Sequence, residues 1–256
     1  MSKFDNSFDA QMLLASDKNY DPAQKQCPVV LIVDTSSSMS DMIEELNAGV
    51  RELKETIMSD SVAPMRVNLA IVEMGNAHAT LDQEFTTVPS WQVKEYRAGG
   101  VTPMAEAVDL AMEHITNAKA MYREEGTSFY RPWLIVFSDG LPTDSEGYFD
   151  TNWETFANKL QVASAEKHLI CFTFYIGKNS SSDSDEMVGI KKAKEVLYTM
   201  ASEVGGVKYS FQLSDGPEQL KNIFQWLSTS VCTIVNESDN MPAPPAAQIP
   251  TSIFDT

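Results

Sequence analysis

Residues 29–33, Val29-Val30-Leu31-Ile32-Val33, are continuously apolar and run straight into Asp34-Thr35-Ser36-Ser37-Ser38-Met39. An apolar run this short and this rich in β-branched residues predicts a strand buried on both faces, as in a parallel sheet covered by helices. Asp34 falls at the C-terminal end of that strand, where open α/β sheets bind their ligands. A helix start follows at Asp41-Met42-Ile43-Glu44-Glu45-Leu46. Asp34, Ser36 and Ser38 therefore share one strand-to-helix loop, at alternating positions, with oxygens able to converge on one point. One carboxylate and two hydroxyls form a hard, oxygen-only set suited to Mg²⁺ or Mn²⁺ rather than zinc. The same residue types also serve as helix caps, and a Ser-rich turn before a helix needs no metal.

The remaining chain repeats the pattern. Apolar residues at helical spacing predict a helix over about 40–59, with Met42, Ile43, Leu46, Val50, Leu53 and Ile57 inward, and Pro64 closes the connection. Strands are expected over 66–74 and 79–88, the second an antiparallel neighbour joined through Gly75-Asn76. Trp91 to Tyr96 reads as a surface segment. Gly99-Gly100-Val101-Thr102-Pro103 is a loop opening a helix to about 123, with Thr102 as its N-cap and Pro103 in its first turn. A short apolar strand, 132–137, ends in Ser138-Asp139-Gly140-Leu141-Pro142-Thr143-Asp144, a second acidic turn at a strand end. Then come a helix of about 151–167, a strand 169–176, a solvated loop Ser180–Asp185, a helix of about 186–204, a strand 207–213 after Gly205-Gly206, and a last helix of about 216–235. Strands alternating with helices predict an α/β fold with a doubly wound, Rossmann-like, mostly parallel central sheet. One antiparallel edge strand and helices on both faces complete it.

The organisation is an N-terminal extension, 1–26, a main domain, 27–236, and a Pro/Ala-rich flexible tail, 237–256. Phe8, Met12, Leu13 and Leu14 can form a short helix or an edge strand within the extension, and Ile253-Phe254-Asp255 offers the tail a docking element. At 256 residues and 43% hydrophobic, the chain is long enough for one large α/β core. The net charge of −17 argues against nucleic-acid or anionic-membrane partners, which require a basic face. Cys27, Cys171 and Cys232 are odd in number and widely spaced, so neither a disulfide framework nor a thiolate zinc site is indicated, and Cys171 reads as a core residue. There is no signal-peptide pattern and no apolar run near the roughly 18–20 residues of a membrane span. A cytoplasmic setting is the simplest expectation.

Three loops now carry oxygen ligands: Asp34/Ser36/Ser38, Thr102 and Asp139. In a doubly wound sheet such loops meet at the topological switch point. Asp34-Thr35-Ser36-Ser37-Ser38 resembles the Asp-x-Ser-x-Ser element of von Willebrand factor A (vWA) domains. Thr102-Pro103-Met104-Ala105-Glu106-Ala107 is similar to their second, Thr-bearing loop, and Ser138-Asp139-Gly140 to their third. The resemblance spans about residues 27–235. It implies a metal-ion-dependent adhesion site (MIDAS) with Asp34, Ser36, Ser38, Thr102 and Asp139 holding Mg²⁺, directly or through water, with Mn²⁺ or Ca²⁺ as alternatives. It further implies a non-enzymatic module, with no catalytic or cofactor-binding residues, that captures an acidic side chain of a protein partner. Tyr130-Arg131-Pro132-Trp133-Leu134-Ile135-Val136, Gly140-Leu141-Pro142-Thr143-Asp144 and Phe224-Gln225-Trp226-Leu227-Ser228-Thr229-Ser230-Val231 resemble the TerY-type vWA proteins of bacterial tellurium-resistance and stress clusters. That likeness implies a scaffold for cluster proteins, including kinase- and phosphatase-like ones. Gly-Gly-Val-Thr stands here where Gly-Gly-Thr is more usual.

Two other readings stand beside this one. An Mg²⁺-dependent hydrolase or phosphatase could use Asp34 as nucleophile. Haloacid-dehalogenase-type enzymes, however, carry a second Asp where Ser36 stands, and no Walker A loop, Gly-x-Ser-x-Gly elbow or paired His base is present. The other is a structural subunit with an empty site. Asp144 reads as a turn former, Glu44 and Glu45 suit a helix N-terminus, and Trp133 and Trp226 are core or boundary aromatics. His78, His114 and His168 form no pair at ligand spacing, and His114 is expected at the surface or boundary.

Overall fold

A computed structural model describes residues 14–178, 181–213 and 218–236. The tail, the segment around Phe8, Met12 and Leu13, and Ser180 lie outside them. The first strand, β1 (Cys27–Asp34), is buried along its whole length, as its sequence requires. A 3₁₀ turn, Ser37–Asp41, leads to α1 (Ile43–Ser59). A single turn, α2 (Ala63–Arg66), places Pro64 in its first positions and feeds β2 (Val67–Gly75), which hairpins into β3 (His78–Thr87). Then come α3 (Met104–Glu124), β4 (Trp133–Ser138), α4 (Trp153–Ala165), β5 (Ile170–Tyr175) and α5 (Ser184–Met200). The chain closes with β6 (Glu203–Val204), β7 (Val207–Lys208), β8 (Ser210–Gln212) and α6 (Glu218–Asn236).

The main sheet has the order β3-β2-β1-β4-β5-β8. Every pairing in it is parallel except β2 with β3. The pleat divides β1 between two cores. Val29, Leu31 and Val33 pack with α1 and α6 on one face, and Val30 and Ile32 with α3, α4 and α5 on the other. β1 and β4 are adjacent central strands, so the loops after them, carrying Asp34 and Asp139, open side by side.

Three expectations are corrected. Trp91 to Tyr96 is not a surface segment: Trp91 and Tyr96 are buried in the first core. The segment lies across α1, where Asn47 donates to the Tyr96 carbonyl at 2.9 Å and accepts from its N–H at 2.7 Å. Polar residues between the two aromatics hid that burial. The expected strand 207–213 is broken. α5 ends at Met200, and Ser202 turns onto the start of β5, its N–H on the Cys171 carbonyl and its hydroxyl accepting from the Cys171 N–H. Gly205-Gly206 then closes a two-stranded hairpin, and only β8 joins the main sheet. His114 is buried rather than superficial, 3.3 Å from Glu84.

Several local readings are met. Cys171, Trp133 and Trp226 are buried, and Asp144 accepts backbone N–H bonds from Glu146 and Tyr148 in a turn. Asp183 caps α5 by accepting from the Asp185 and Glu186 N–H groups. No helix among the described residues is long and apolar enough to cross a membrane.

Candidate metal centre

The three loops carrying Asp34, Thr102 and Asp139 do converge. Asp34, at the tip of β1, is fully buried. Its Oδ1 accepts the Ser36 N–H at 2.9 Å and its Oδ2 accepts the Ser138 hydroxyl at 2.5 Å. The Ser36 and Ser38 hydroxyls are 3.0 Å apart, and Ser38 donates to Asp139 Oδ1 at 2.8 Å. One hydrogen-bonded chain thus links the carboxylate after β1 to the carboxylate after β4.

Thr102 arrives from the third loop, but not as the expected cap. The N-cap position of α3 belongs to Pro103, without a side-chain cap bond. The Thr102 backbone is instead clamped by Thr143, whose hydroxyl accepts the Thr102 N–H at 2.8 Å and whose N–H donates to the Thr102 carbonyl at 2.9 Å. That clamp turns the Thr102 hydroxyl toward Gly140. A Cβ built on Gly140 would stand 3.6 Å from Thr102 Oγ1 and 3.7 Å from Ser38 Oγ, so both hydroxyls flank one spot. Ser38, Thr102 and Asp139 line a groove of about 740 Å³, with Asp34 and Ser36 behind them.

Electrostatics mark the same spot. Burial first, and the Asp139 charge second, push the Asp34 carboxyl well above the usual range. Burial also raises Asp139, against the pull of the Ser38 hydrogen bond. Two neighbouring acids, one of them fully buried, resist joint ionisation unless a proton or a cation compensates them. The donor set is two carboxylates and three hydroxyls. Among the described residues, no cluster of three or more His, Cys, Asp or Glu side chains could hold a metal. The set fits a hard, oxygen-seeking cation and offers nothing to a soft one.

A sequence model of the von Willebrand factor type A domain matches residues 29–226. The chain belongs to that family. Solved structures with similar folds include the pilus adhesin SpaC of Lactobacillus rhamnosus GG, in its open conformation, at TM-score 0.64 and 12% identity. That match covers 82% of this chain and 30% of SpaC, so this chain spans less than a third of the adhesin. The vWF domain of the type V pili tip protein Mfa5 from Porphyromonas gingivalis has TM-score 0.55 and 12% identity, covering 85% of this chain and 99% of that domain. Proximal thread matrix protein 1 of the mussel byssus, solved with a zinc-occupied MIDAS motif, has TM-score 0.50 and 14% identity, covering 83% of this chain and 46% of that one. No curated protein matches the chain.

The three converging loops rest on residues that sequence reasoning missed. Ser138, read only as part of a loop, bonds Asp34 directly. Thr35 donates to Glu73 Oε1 at 3.1 Å, and its N–H bonds the Met74 carbonyl at 2.7 Å. Glu73 is held by Lys94 at 2.7 Å, and Lys94 also reaches Asp82 at 2.7 Å. Gly75 is required beside them, because a Cβ there would stand 2.1 Å from Thr35 Oγ1. Gly100 fastens the second loop to the first: its carbonyl accepts both the Ser37 N–H, at 3.1 Å, and the Ser37 hydroxyl, at 3.0 Å. Its φ of +75° and a Cβ position 2.1 Å from the Asn76 carbonyl oxygen admit only glycine. Val101, the residue beyond the usual Gly-Gly-Thr spacing, bonds the Asn76 carbonyl through its N–H. The longer loop is therefore tied to the β2–β3 turn. Glu73, an acid two residues before Gly75 inside an apolar run, was the sequence trace of this support.

Proposed function

We propose that this vWA domain is a non-enzymatic binding module that holds a divalent cation at Asp34, Ser36, Ser38, Thr102 and Asp139. A carboxylate of a protein partner is captured on that cation. Mg²⁺ suits the hydroxyl-rich oxygen set best, with Mn²⁺ or Ca²⁺ as alternatives. The observation that carries this reading is the hydrogen-bonded line Asp34–Ser36–Ser38–Asp139 at the mouth of a groove. Bound there, the cation would supply a partly neutralised, electrophilic position for an incoming carboxylate. The protein's own part is to fix the oxygens, bury Asp34 and leave Ser38, Thr102 and Asp139 facing the groove. The hydrolase reading is less well supported, since Asp34 is fully buried and both its oxygens are engaged. The sequence likeness to TerY-type proteins favours a cytoplasmic scaffold in a bacterial tellurite or chemical-stress complex, with kinase- or phosphatase-like proteins as partners.

The test is calorimetric titration of metal-stripped protein with Mg²⁺ and with Mn²⁺, for wild type and Asp34→Ala in parallel. Saturable 1:1 binding is expected in wild type. In the variant it should weaken at least ~100-fold, the upper end of losses from merely supporting residues, while the far-UV spectrum is unchanged. Equal binding by a folded Asp34→Ala would sink the assignment. Absence of binding in wild type would leave the structural-subunit reading in its place.

A further inference from the structure

Beyond the metal ligands the groove has walls of a different character. Leu141, Ile176, Ile190 and Leu213 line it, giving an apolar trough beside Asp139. α5 forms one side: Glu186, Gly189, Ile190 and Ala193 recur at helical spacing and all face the groove. The space beside Gly189 is open, since a Cβ built there meets nothing nearer than Leu141 Cδ1 at 3.7 Å. The rim is negative. Asp41, Asp185 and Glu186 line it and are exposed. The one base among the described lining residues, Lys178, is 3.3 Å from Glu186.

The charges then decide which carboxylate can enter. A divalent cation balances Asp34 and Asp139, leaving three rim acids against one lysine. A partner segment acidic along its length would place like charges against Asp41, Asp185 and Glu186, which is strongly unfavourable at an interface. Resting on the metal-capture reading above, we infer that the groove takes an extended protein segment with one Asp or Glu for the cation. That acid is flanked by an apolar side chain for the Leu141–Ile190 trough and by a Lys or Arg for Asp185 and Glu186. The chain's own tail fits this poorly. Ile253-Phe254-Asp255 supplies the acid and the apolar neighbours, but residues 237–256 contain no Lys or Arg.

The experiment uses the full chain and fluorescent nine-residue peptides with a central Asp, flanked in turn by Lys and Leu, Glu and Leu, or Lys and Gly. A peptide of residues 248–256 is included. Anisotropy is read in Mg²⁺ and in EDTA at low salt. The Lys/Leu peptides should bind at least about tenfold more tightly than the Glu/Leu, Lys/Gly and tail peptides. The margin over the Glu/Leu peptides should shrink with added salt. Asp185→Asn with Glu186→Gln should cut that margin at least threefold without changing the Mg²⁺ titration. Equal binding of the Glu/Leu or tail peptides, a preference untouched by the double variant, or no peptide bound by Mg²⁺-loaded protein each overturns the inference. Peptide binding that persists in EDTA and in Asp34→Ala overturns the metal-capture reading as well, whereas EDTA-sensitive binding indifferent to Lys overturns only the present one.

Discussion

At the N-terminal ends of the strands, two arginines reach backbone carbonyls; at the C-terminal ends, two carboxylates face each other across a line of serines. Arg66, just before β2, donates to the Val235 carbonyl at 2.7 Å and to Gln24 Oε1 at 2.9 Å. Arg131, just before β4, donates to the Leu169 carbonyl at 2.8 Å. These charges are consumed in closing the fold, tying α6 and the residues before β1 to the sheet. At the opposite end, burial raises Asp34 and Asp139, and no arginine or lysine is bonded to either among the described residues. One end is electrostatically satisfied from within, and at the other two raised carboxyls face each other with no bonded cation among the described side chains. A sheet can be stable and still present an unbalanced site because the two demands fall on opposite edges.

The comparison breaks if a residue at one end controls the property of the other. Arg66→Ala is the strongest probe. It removes two charge-assisted bonds, each worth about 1.5–3 kcal/mol, and leaves the Val235 carbonyl at the end of α6 without its donor. Urea denaturation should show a loss of about 2–4 kcal/mol, after allowing for partial exposure of the site. Mg²⁺ affinity should stay within about twofold, as expected for distant, independent sites. A parallel fall in affinity would mean that α6 and the metal loops act as one unit.

Thr35→Val probes the other end with a smaller effect. Thr35 is no metal ligand, but its hydroxyl bonds Glu73 beneath the loop that carries Asp34, Ser36 and Ser38. The valine keeps the shape facing Gly75 and deletes one buried hydrogen bond, costing about 1 kcal/mol of stability. Supporting residues typically tune metal affinity 10–100-fold, and the low end, about tenfold, is expected here because Ser138 still holds Asp34. Unchanged affinity in calorimetric titration would show that the β1 loop is positioned by backbone contacts alone.

These probes also separate what the sequence revealed from what it hid. Asp34, Ser36, Ser38, Thr102 and Asp139 were legible because each sits within a few residues of a strand end or helix start, and such boundaries are written in local pattern. The sheet was legible for the same reason: β1 and β4 are built on unbroken apolar runs, and β5 is interrupted only by Thr173. Ser138, Glu73 and Lys94 were not, since their roles depend on which strands become neighbours. Glu73 in particular lies within an apolar strand and looks out of place until Thr35 and Lys94 are seen beside it. Trp91 and Tyr96 were misread because their burial comes from lying across α1, a contact between segments more than 40 residues apart in sequence. The last strand was overextended because Val207, Tyr209 and Phe211 carry β propensity at alternating positions, yet the turn at Ser202 commits Val207 and Lys208 to a hairpin.

Asp17 gives the finest test of the contrast, because it is an acid at the structural end. Its two oxygens accept five hydrogen bonds, from the Asn19 and Thr87 N–H groups and the Ser90, Thr86 and Thr87 hydroxyls. Partial burial alone would raise its carboxyl, but those donors outweigh burial and hold it down to about 2. Asp34, with two donors and complete burial, moves the other way. A carboxyl lowered in the folded state stabilises the fold above its unfolded value, about 3.9, and that contribution is lost as pH falls through its folded value. Asp17→Asn should therefore melt below wild type at pH 7, by a few degrees, and the gap should narrow between pH 4 and about pH 2. A gap that stays constant over that window would mean the asparagine fails for reasons of shape. The low carboxyl would then not be what fastens the residues before β1 to the end of β3.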